Sequence, residues 1–149
     1  MFDPMSPSDL ARVSQLEAVF TRIGEERMKG IGLCNPALTV EAVGFRHWQD
    51  WLAGILITPW FMNFLLLPTR NDQVSDAVGS KTRLSMPRGD ITFTVGAVEE
   101  VGPYLSSSLY SPMGRFDVHA VAVTTAWAAV DKYFKAPEAE EPSACNERL

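Results

Sequence analysis

The apolar stretch GILITPWFMNFLLLP, residues 54–68, is the strongest structural signal in this sequence, because it contains no charged side chain. Thr58 and Pro59 interrupt it and predict a tight turn between two strands. Each strand is apolar at both alternating sets of positions, so each requires cover on both faces of a sheet. The stretch is therefore a membrane span, a buried pair of core strands or an apolar surface that binds another protein.

A membrane span is the weakest of these three interpretations. Residues 51–67 are apolar at 13 of 17 positions, which only reaches the lower length limit of a spanning helix. Pro59 and Asn63 also lie in the middle of this segment, and the turn explains the proline better. We therefore predict no membrane span and interpret the segment as two strands.

The length and composition predict one globular domain. The chain has 149 residues, of which 21% are charged and 46% are hydrophobic, and its formal net charge is −5. It has no run of basic residues, which argues against a nucleic-acid partner, because phosphates require clustered Lys and Arg. Two cysteines are too few for a disulfide framework, and the acidic N-terminus is unlike an export signal. These features predict a reducing, cytoplasmic location.

Hydrophobic periodicity predicts a helix at each end of the domain. The first helix starts at Ser6 and Pro7, runs for about 20 residues and stops at the glycines of residues 30–32. The last helix begins after residues 111–114 and ends near Lys135. Its buried face is predicted by one apolar stripe at spacings of three and four: Phe116, Ala120, Val123, Trp127, Val130 and Phe134.

The segment between the helices predicts a sheet. Alternating or continuous apolar residues predict five strands, at residues 38–42, 51–57, 60–67, 91–97 and 101–109. The polar residues 69–90 predict a loop, with a short helix as an alternative. Because consecutive strands with short links favour antiparallel pairing, the predicted fold class is α+β. We expect a two-layer sandwich in which an antiparallel sheet of about five strands is flanked by the N-terminal and C-terminal helices.

The domain boundary follows from composition. Residues 1–136 form the single predicted domain. Residues 137–149 are acidic and contain proline, so they are predicted to be a disordered tail.

Two helices are too few to cover such a sheet on both sides. Five strands at about 4.8 Å spacing give a width of roughly 20 Å, and two helices of about 10 Å each cover one face. The apolar strands of residues 51–67 therefore keep an uncovered face, which is typical of a partner-binding surface. Two alternatives are equally open: residues 69–90 fold back as a lid, or the face pairs with a second copy of the chain in a homodimer.

No motif in the sequence predicts catalysis or a bound metal. The four Cys and His residues lack the closely spaced ligand pairs of a structural zinc site: Cys34, His47, His119 and Cys145. The sequence has neither a nucleophile-elbow serine motif nor a glycine-rich phosphate loop. We predict a protein without catalytic residues, metal or cofactor. An enzyme that uses Glu99, Glu100 or His119 is the weaker alternative. The two glutamates fit a solvated turn between strands, and the histidine fits a side chain packed beside the apolar stripe of the last helix.

Three blocks of the sequence resemble one protein family. NPALTVEAVGFRHW (residues 35–48), the stretch of residues 54–68 and GPYLSSSLYSPMGRFD (residues 102–117) are similar to the HybE/HupJ family of nickel–iron hydrogenase assembly chaperones. The motifs ITPWFMN and SPM are the most specific to this family, and the resemblance extends along the chain to Ala136. Some members also carry a rubredoxin domain with paired Cys-x-x-Cys motifs, which this sequence lacks.

The resemblance implies a function, a partner and a fold. It implies a cytoplasmic accessory chaperone that holds a hydrogenase subunit until the cofactors are inserted. The small-subunit precursor with its twin-arginine export signal is the implied client, and the large subunit is the alternative. The family's fold is similar to the two-layer α/β type of secretion chaperones.

The implied client predicts the chemistry of the binding surface. A twin-arginine signal has a basic start and an apolar middle, so its binder needs an apolar surface and carboxylates. The candidate partner-binding residues are aromatic, methionine and acidic side chains: Trp60, Phe61, Met62, Phe64, Glu41, Glu99, Glu100 and Met113. The two faces of the strand at residues 60–67 are not distinguished, so Leu65 and Leu67 accompany Phe61 as the alternate set. Plain core packing is the alternative role of every apolar residue among them.

Overall fold

Helix α1, Pro7–Ile23, begins at a capping box, as its first residues predict. The Asp9 amide donates a hydrogen bond to the Ser6 hydroxyl at 3.2 Å, and the Ser6 amide donates one to the Asp9 carboxylate at 2.9 Å. Two amide groups that have no partner within the helix are thereby satisfied. A π-helical turn, Gly24–Met28, continues the chain beyond α1.

The computed structural model of the chain describes residues 5–28 and 34–135. The predicted stop of the first helix at residues 30–32 and the predicted tail at residues 137–149 lie outside these described residues. The rest of the described chain forms six strands and a second helix: β1 (Glu41–Trp48), β2 (Trp51–Ile57), β3 (Met62–Pro68), β4 (Lys81–Met86), β5 (Gly89–Val98), β6 (Gly102–Tyr110) and α2 (His119–Tyr133).

The six strands form one antiparallel sheet in the order β1-β2-β3-β6-β5-β4. This sheet between an N-terminal and a C-terminal helix confirms the predicted α+β class. It has six strands rather than about five, because β4 lies inside the segment predicted as a loop. β4 is an edge strand whose Lys81 and Arg83 are exposed, and such a charged edge lacks the apolar run that marks a central strand.

The two helices lie on opposite faces of the sheet, so the expected two layers become three over β1–β3. The residues of β2 that point to one side pack with Leu16 and Phe20 of α1: Leu52 and Leu56. The residues that point to the other side share a core cluster with Ala122, Ala126 and Val130 of α2: Ala53, Ile55 and Ile57. The expectation of an uncovered apolar face on residues 51–67 is therefore wrong, because each helix covers one face of these strands.

The polar segment of residues 69–80 adds cover on the α2 side of the sheet. Its Val74 side chain packs against the core cluster beneath α2. The Gln73 side chain holds the segment in place, because its oxygen accepts hydrogen bonds from the Thr69 and Arg70 amides and its nitrogen donates to the Asp50 carbonyl at 2.9 Å. The lid alternative is thus right for part of the predicted loop.

Both histidines of the chain link a helix to the edge strand β1. His47 lies in β1, and its Nε2 is 2.6 Å from the Asp9 carboxylate of α1. His119 begins α2, and its Nε2 is 2.9 Å from the Glu41 carboxylate. The Thr39 amide donates to the His119 Nδ1 at 3.3 Å, which agrees with a packed, hydrogen-bonded histidine.

Gly54 tests the close approach of β1 and β2. A Cβ atom at this residue would collide with the Phe45 ring and would lie 2.8 Å from the Phe45 Cα. Because a backbone atom is in the way, we expect Gly54→Ala to lower the free energy of unfolding by about 1–3 kcal/mol, measured by urea denaturation. Gly114→Ala is the matched control, since no atom lies within 4 Å of its added Cβ. Equal stability of the two variants would contradict this packing.

Asp9 gives the stability of the protein an acid-sensitive contribution. Its hydrogen bond from the Ser6 amide, and secondly its contact with His47, hold the pKa of Asp9 below its ordinary value of 3.8. A lowered pKa in the folded state stabilises the protein above the unfolded-state value, and this stabilisation disappears as the pH falls through the folded-state value. We expect Asp9→Asn to lower Tm near neutral pH and to match the unaltered chain at strongly acidic pH, in thermal denaturation across the pH range. A Tm difference that does not depend on pH would contradict this origin.

Candidate functional site

The three sequence blocks that carry the family resemblance meet at one end of the sheet, around Asn35. The Asn35 amide donates to the Pro59 carbonyl at 2.8 Å. Its side-chain nitrogen donates to the carbonyl oxygens of Met113 and Phe116, at 3.0 and 2.6 Å. Its side-chain oxygen accepts from the Ala37 amide at 2.9 Å. Asn35 therefore links the first block to the second through its backbone amide and to the third through its side chain, so these residues build turns first of all.

Thr58 closes the turn between β2 and β3 and directs two aromatic residues toward α1. Its buried hydroxyl accepts hydrogen bonds from the amides of Trp60 and Phe61, at 3.2 and 2.9 Å. Both aromatic side chains are half-buried. The Phe61 ring meets Phe20 edge-on with centroids 5.8 Å apart, and Trp60 lies against Gly24. The predicted turn is confirmed, and Trp60 and Phe61 keep some accessible surface on the α1 side.

The other predicted apolar site residues lie in the core. Met62, Phe64 and Met113 are fully buried on the α2 side. Phe64 stacks on Tyr133 of α2, with ring centroids 3.9 Å apart and an angle of 5° between the ring planes. The two leucines of the alternate set are buried against α1: Leu65 and Leu67. These residues expose no surface to a partner in this conformation, and core packing is the role that the structure gives them.

The three predicted carboxylates do not come together. Glu41 lies at the start of β1 on the α2 side, where its side chain is 44% exposed. Glu99 and Glu100 lie in the turn between β5 and β6, and Arg22 of α1 forms an ion pair with Glu100. A hydrogen bond from its own backbone amide, and secondly the Arg22 guanidinium, hold the pKa of Glu100 below its ordinary value. Only Glu41 therefore lies near α2.

The structure exposes an apolar surface that the sequence analysis did not predict, the outer face of α2. From His119 to Val130 the chain has no Asp, Glu, Lys or Arg. The face toward the sheet is buried, whereas the other face is open to solvent in the described structure. We call its exposed residues the α2 outer surface: Val118, Ala120, Val121, Thr124, Trp127 and Ala128. Its three large members, the two valines and the tryptophan, are 54%, 54% and 49% exposed.

The predicted buried stripe of the last helix is confirmed at four of its six residues, which are buried or packed against the core, and is wrong at Ala120 and Trp127. Ala120 and Trp127 are exposed, whereas Ala122 and Ala126 face the sheet. Two alanines one turn apart present little bulk, so they allow the helix backbone to lie close to the strands. The signal that points to the outer surface is the lack of charge over residues 119–130, because a helix that is apolar all round is normally covered all round.

A groove of about 560 Å³ lies next to the α2 outer surface, between α2 and β6. Its lining is mainly apolar or small: Leu109, Tyr110, Thr124, Thr125, Ala128, Ala129 and Lys132. Lys132 is the one charged residue among the described residues that line it. Groove and outer surface together form a continuous apolar area, which is typical of a site that binds another polypeptide.

Residues 5–28 and 34–135 contain no group of three or more His, Cys, Asp or Glu side chains that could hold a metal ion. No helix within the described ranges is long and apolar enough to cross a membrane. A second pocket, of about 460 Å³, lies beside Asn35 and is lined in part by the half-buried Cys34.

One protein family matches the chain over most of its length. The family described as NiFe-hydrogenase assembly, chaperone, HybE matches residues 11–148. The hydrogenase expression/formation protein HupJ of Bradyrhizobium diazoefficiens is 39% identical over 126 residues, which cover 85% of this chain and 73% of that protein. The Rhodobacter capsulatus protein named probable rubredoxin HupJ is 38% identical over 146 residues, which cover 93% of this chain. They cover 52% of that relative, so this chain spans about half of its length.

A solved structure has the same fold. The solution structure of HybE from Escherichia coli matches with a TM-score of 0.68 and covers 93% of this chain and 90% of that chain. The two sequences are 24% identical, so this likeness concerns the fold alone. It supports the arrangement of two helices that flank an antiparallel sheet.

Trp127 and Phe64 provide a test of which aromatic residues belong to the core. Half of the Trp127 side chain is exposed, so we expect Trp127→Ala to lower the free energy of unfolding by about 1 kcal/mol or less. Phe64→Ala removes a fully buried ring and should lower it by about 3–5 kcal/mol. Urea denaturation of both variants measures the difference. An equally large loss for Trp127→Ala would place Trp127 in the core, as the sequence periodicity predicts.

Proposed function

Because this chain belongs to the HybE family of NiFe-hydrogenase assembly chaperones, we propose that it holds the small-subunit precursor of a nickel–iron hydrogenase until its cofactors are in place. The twin-arginine export signal of the precursor is the proposed contact, and the large subunit is the alternative client. The proposed location is the cytoplasm, because an export signal is bound before translocation. The name of the HupJ relative describes hydrogenase expression and formation rather than a reaction, which supports binding without catalysis.

The α2 outer surface is the observation that carries this proposal. Val121 and Trp127 stand on either side of a strip of small side chains formed by Ala120, Thr124 and Ala128. Full burial of a large apolar side chain is worth about 1.5–3 kcal/mol, and roughly half of that gain is still available for a half-exposed one. A client helix that lies along the strip of small residues, beside the groove between α2 and β6, removes these side chains from water and can approach the α2 backbone closely.

The predicted carboxylates enter this proposal in two groups. Glu41 adjoins the α2 outer surface through its contact with His119, the first residue of α2. Glu99 and Glu100 lie on the α1 side of the molecule, as do the half-buried Trp60 and Phe61. We propose the α2 side as the main contact and the α1 side as a second contact area for the same client.

Self-association is the competing proposal for the same surface. An exposed apolar helix face can pair with its own copy about a twofold axis, and such a homodimer needs no client. Sedimentation velocity over a wide range of protein concentration separates the two proposals. A monomer at every concentration excludes the homodimer, whereas a dimer that dissociates when precursor is added shows that both use one surface.

Variants of the α2 outer surface test the client contact. We expect the double variant Val121→Ser/Trp127→Ser to bind a small-subunit precursor at least about tenfold more weakly than the unaltered chain, because two large apolar contacts are lost. Calorimetric titration with and without the signal peptide measures this change. Val78→Ser is the matched control, since Val78 is 68% exposed and lies in the segment before β4, outside the α2 outer surface.

The results of these titrations identify which surface of the protein contacts the client. Weaker binding of the double variant together with unchanged binding of the Val78 variant supports the α2 outer surface. Weaker binding of Glu99→Gln/Glu100→Gln alone would move the main contact to the α1 side. If the unaltered chain retains the precursor equally well without its signal peptide, the mature subunit is the client region. If it retains neither form, the proposed function is wrong.

A further inference from the structure

A pocket of about 460 Å³ opens at the start of α2, at the end of the sheet where the three sequence blocks meet. Its lining comes from the segment before β1 and the segment between β6 and α2: Cys34, Asn35, Pro36, Ala37, Pro112, Gly114, Phe116 and Asp117. Among these described residues Asp117 is the only charged one, and it is exposed. The pocket therefore combines an acidic group with mainly apolar walls.

The walls of this pocket are held rigidly. Asn35 ties the two segments together through its hydrogen bonds to the carbonyl oxygens of Met113 and Phe116. Pro36 and Pro112 contribute rings without rotatable side chains. Stiff apolar walls beside a carboxylate suit the side chain of Arg or Lys, whose methylene stem is apolar and whose end is cationic.

The charges around the pocket favour a cation. The Glu41 carboxylate is 44% exposed and contacts His119, which lies two residues after Asp117, but Glu41 does not line the pocket. The nearby cation of the same segment, Arg115, is turned over the Tyr110 ring at 4.8 Å from its centroid and does not line the pocket. The exposed Asp117 carboxylate in the pocket, with Glu41 as a second carboxylate near the start of α2, raises the local concentration of positive groups.

The pocket also adjoins the α2 outer surface. Val118 follows Asp117 directly and belongs to that surface, and Val121 lies one turn further along α2. At the opposite end of α2 the groove is lined by Lys132, and Lys135 is exposed just beyond it. The apolar area therefore starts beside the Asp117 carboxylate, whereas its far end carries these two lysines together with the exposed carboxylate of Asp131, which lies 3.9 Å from the Arg46 guanidinium.

We propose that the Asp117 pocket binds a basic side chain, Arg or Lys, of the polypeptide that occupies the α2 outer surface. The basic residues of the client then lie at the start of α2, and its apolar segment runs toward Lys132. This inference rests on the proposed function and adds an orientation to it.

Synthetic peptides that differ only in charge position test this orientation on the full chain. α2 has 15 residues and is about 22 Å long, so the first peptide has two arginines followed by about 15 Leu and Ala residues. The second peptide carries the arginines at its C-terminal end, and the third has glutamines in their place. We expect the first peptide to bind about fivefold or more tightly than either of the others in fluorescence anisotropy.

The pocket residues provide the matched variants. Asp117→Asn should lower the affinity for the first peptide about fivefold and leave the affinity for the glutamine peptide unchanged, because only the charge interaction is removed. Glu41→Gln should act in the same direction, with a smaller effect. Asp72→Asn is the control, since Asp72 is exposed outside this surface and its φ of 63° is one that asparagine also adopts. The preference for the first peptide should also decline as salt is raised.

The outcomes separate this inference from the proposed function. If Val121→Ser/Trp127→Ser lowers the affinity for all three peptides but Asp117→Asn lowers the affinity for none, the α2 outer surface binds the client. In that case the Asp117 pocket does not bind the basic residues of the client. If the second peptide binds as tightly as the first, the orientation is overturned. If Val121→Ser/Trp127→Ser changes no peptide's affinity, the client contact proposed for α2 is itself wrong. Unchanged Tm of the Asp117 variant shows that a change in affinity is not a loss of folding.

Discussion

The apolar character of β2 and β3 on both faces is the constraint on which the rest of the structure depends. Each large side chain that these strands bury contributes roughly 1.5–3 kcal/mol relative to exposure, so neither face can be left in water without a large loss of stability. With two helices available, one on each face is the arrangement that shelters both. α1 covers Leu52 and Leu56, and α2 covers Ile55 and Ile57.

This constraint determines where a binding surface can be. The sheet residues first suggested for client binding, Met62 and Phe64, are used entirely by the core. The free apolar area is instead on the far side of α2, which is apolar toward the sheet and also toward solvent. A single helix with two apolar faces thus serves two purposes: its inner alanines stabilise the fold, and its outer residues, with Trp127, form the proposed client contact.

The residues that carry the family resemblance and those proposed to bind the client have different physical roles. The Asn35 side chain donates two hydrogen bonds to the segment before α2 and accepts one from the Ala37 amide, and the Asn35 backbone amide donates to the Pro59 carbonyl of the turn between β2 and β3. Thr58 satisfies the amides of the turn between β2 and β3 from within the core. The two segments that the Asn35 side chain joins, residues 34–37 and 112–117, also form the walls of the pocket beside Asp117.

The sequence by itself determined what depends on neighbouring residues: the helix start at Ser6, the turn at Thr58, four of the six strands close to their observed bounds and the α+β class. These follow from local hydrogen bonding and from periodicity, which a window of a few residues contains, whereas the family followed from the resemblance of three sequence blocks. β4 was missed because its inward residues, Thr82, Leu84 and Met86, only alternate with exposed polar ones and form no apolar run at this charged sheet edge. Only the tertiary structure decided which face each helix covers, because that choice depends on pairing between distant strands, such as β3 with β6. It also decided that Trp127 is outside and Ala126 inside, since both sides of α2 are apolar and the smaller side chains allow the closer approach to the sheet.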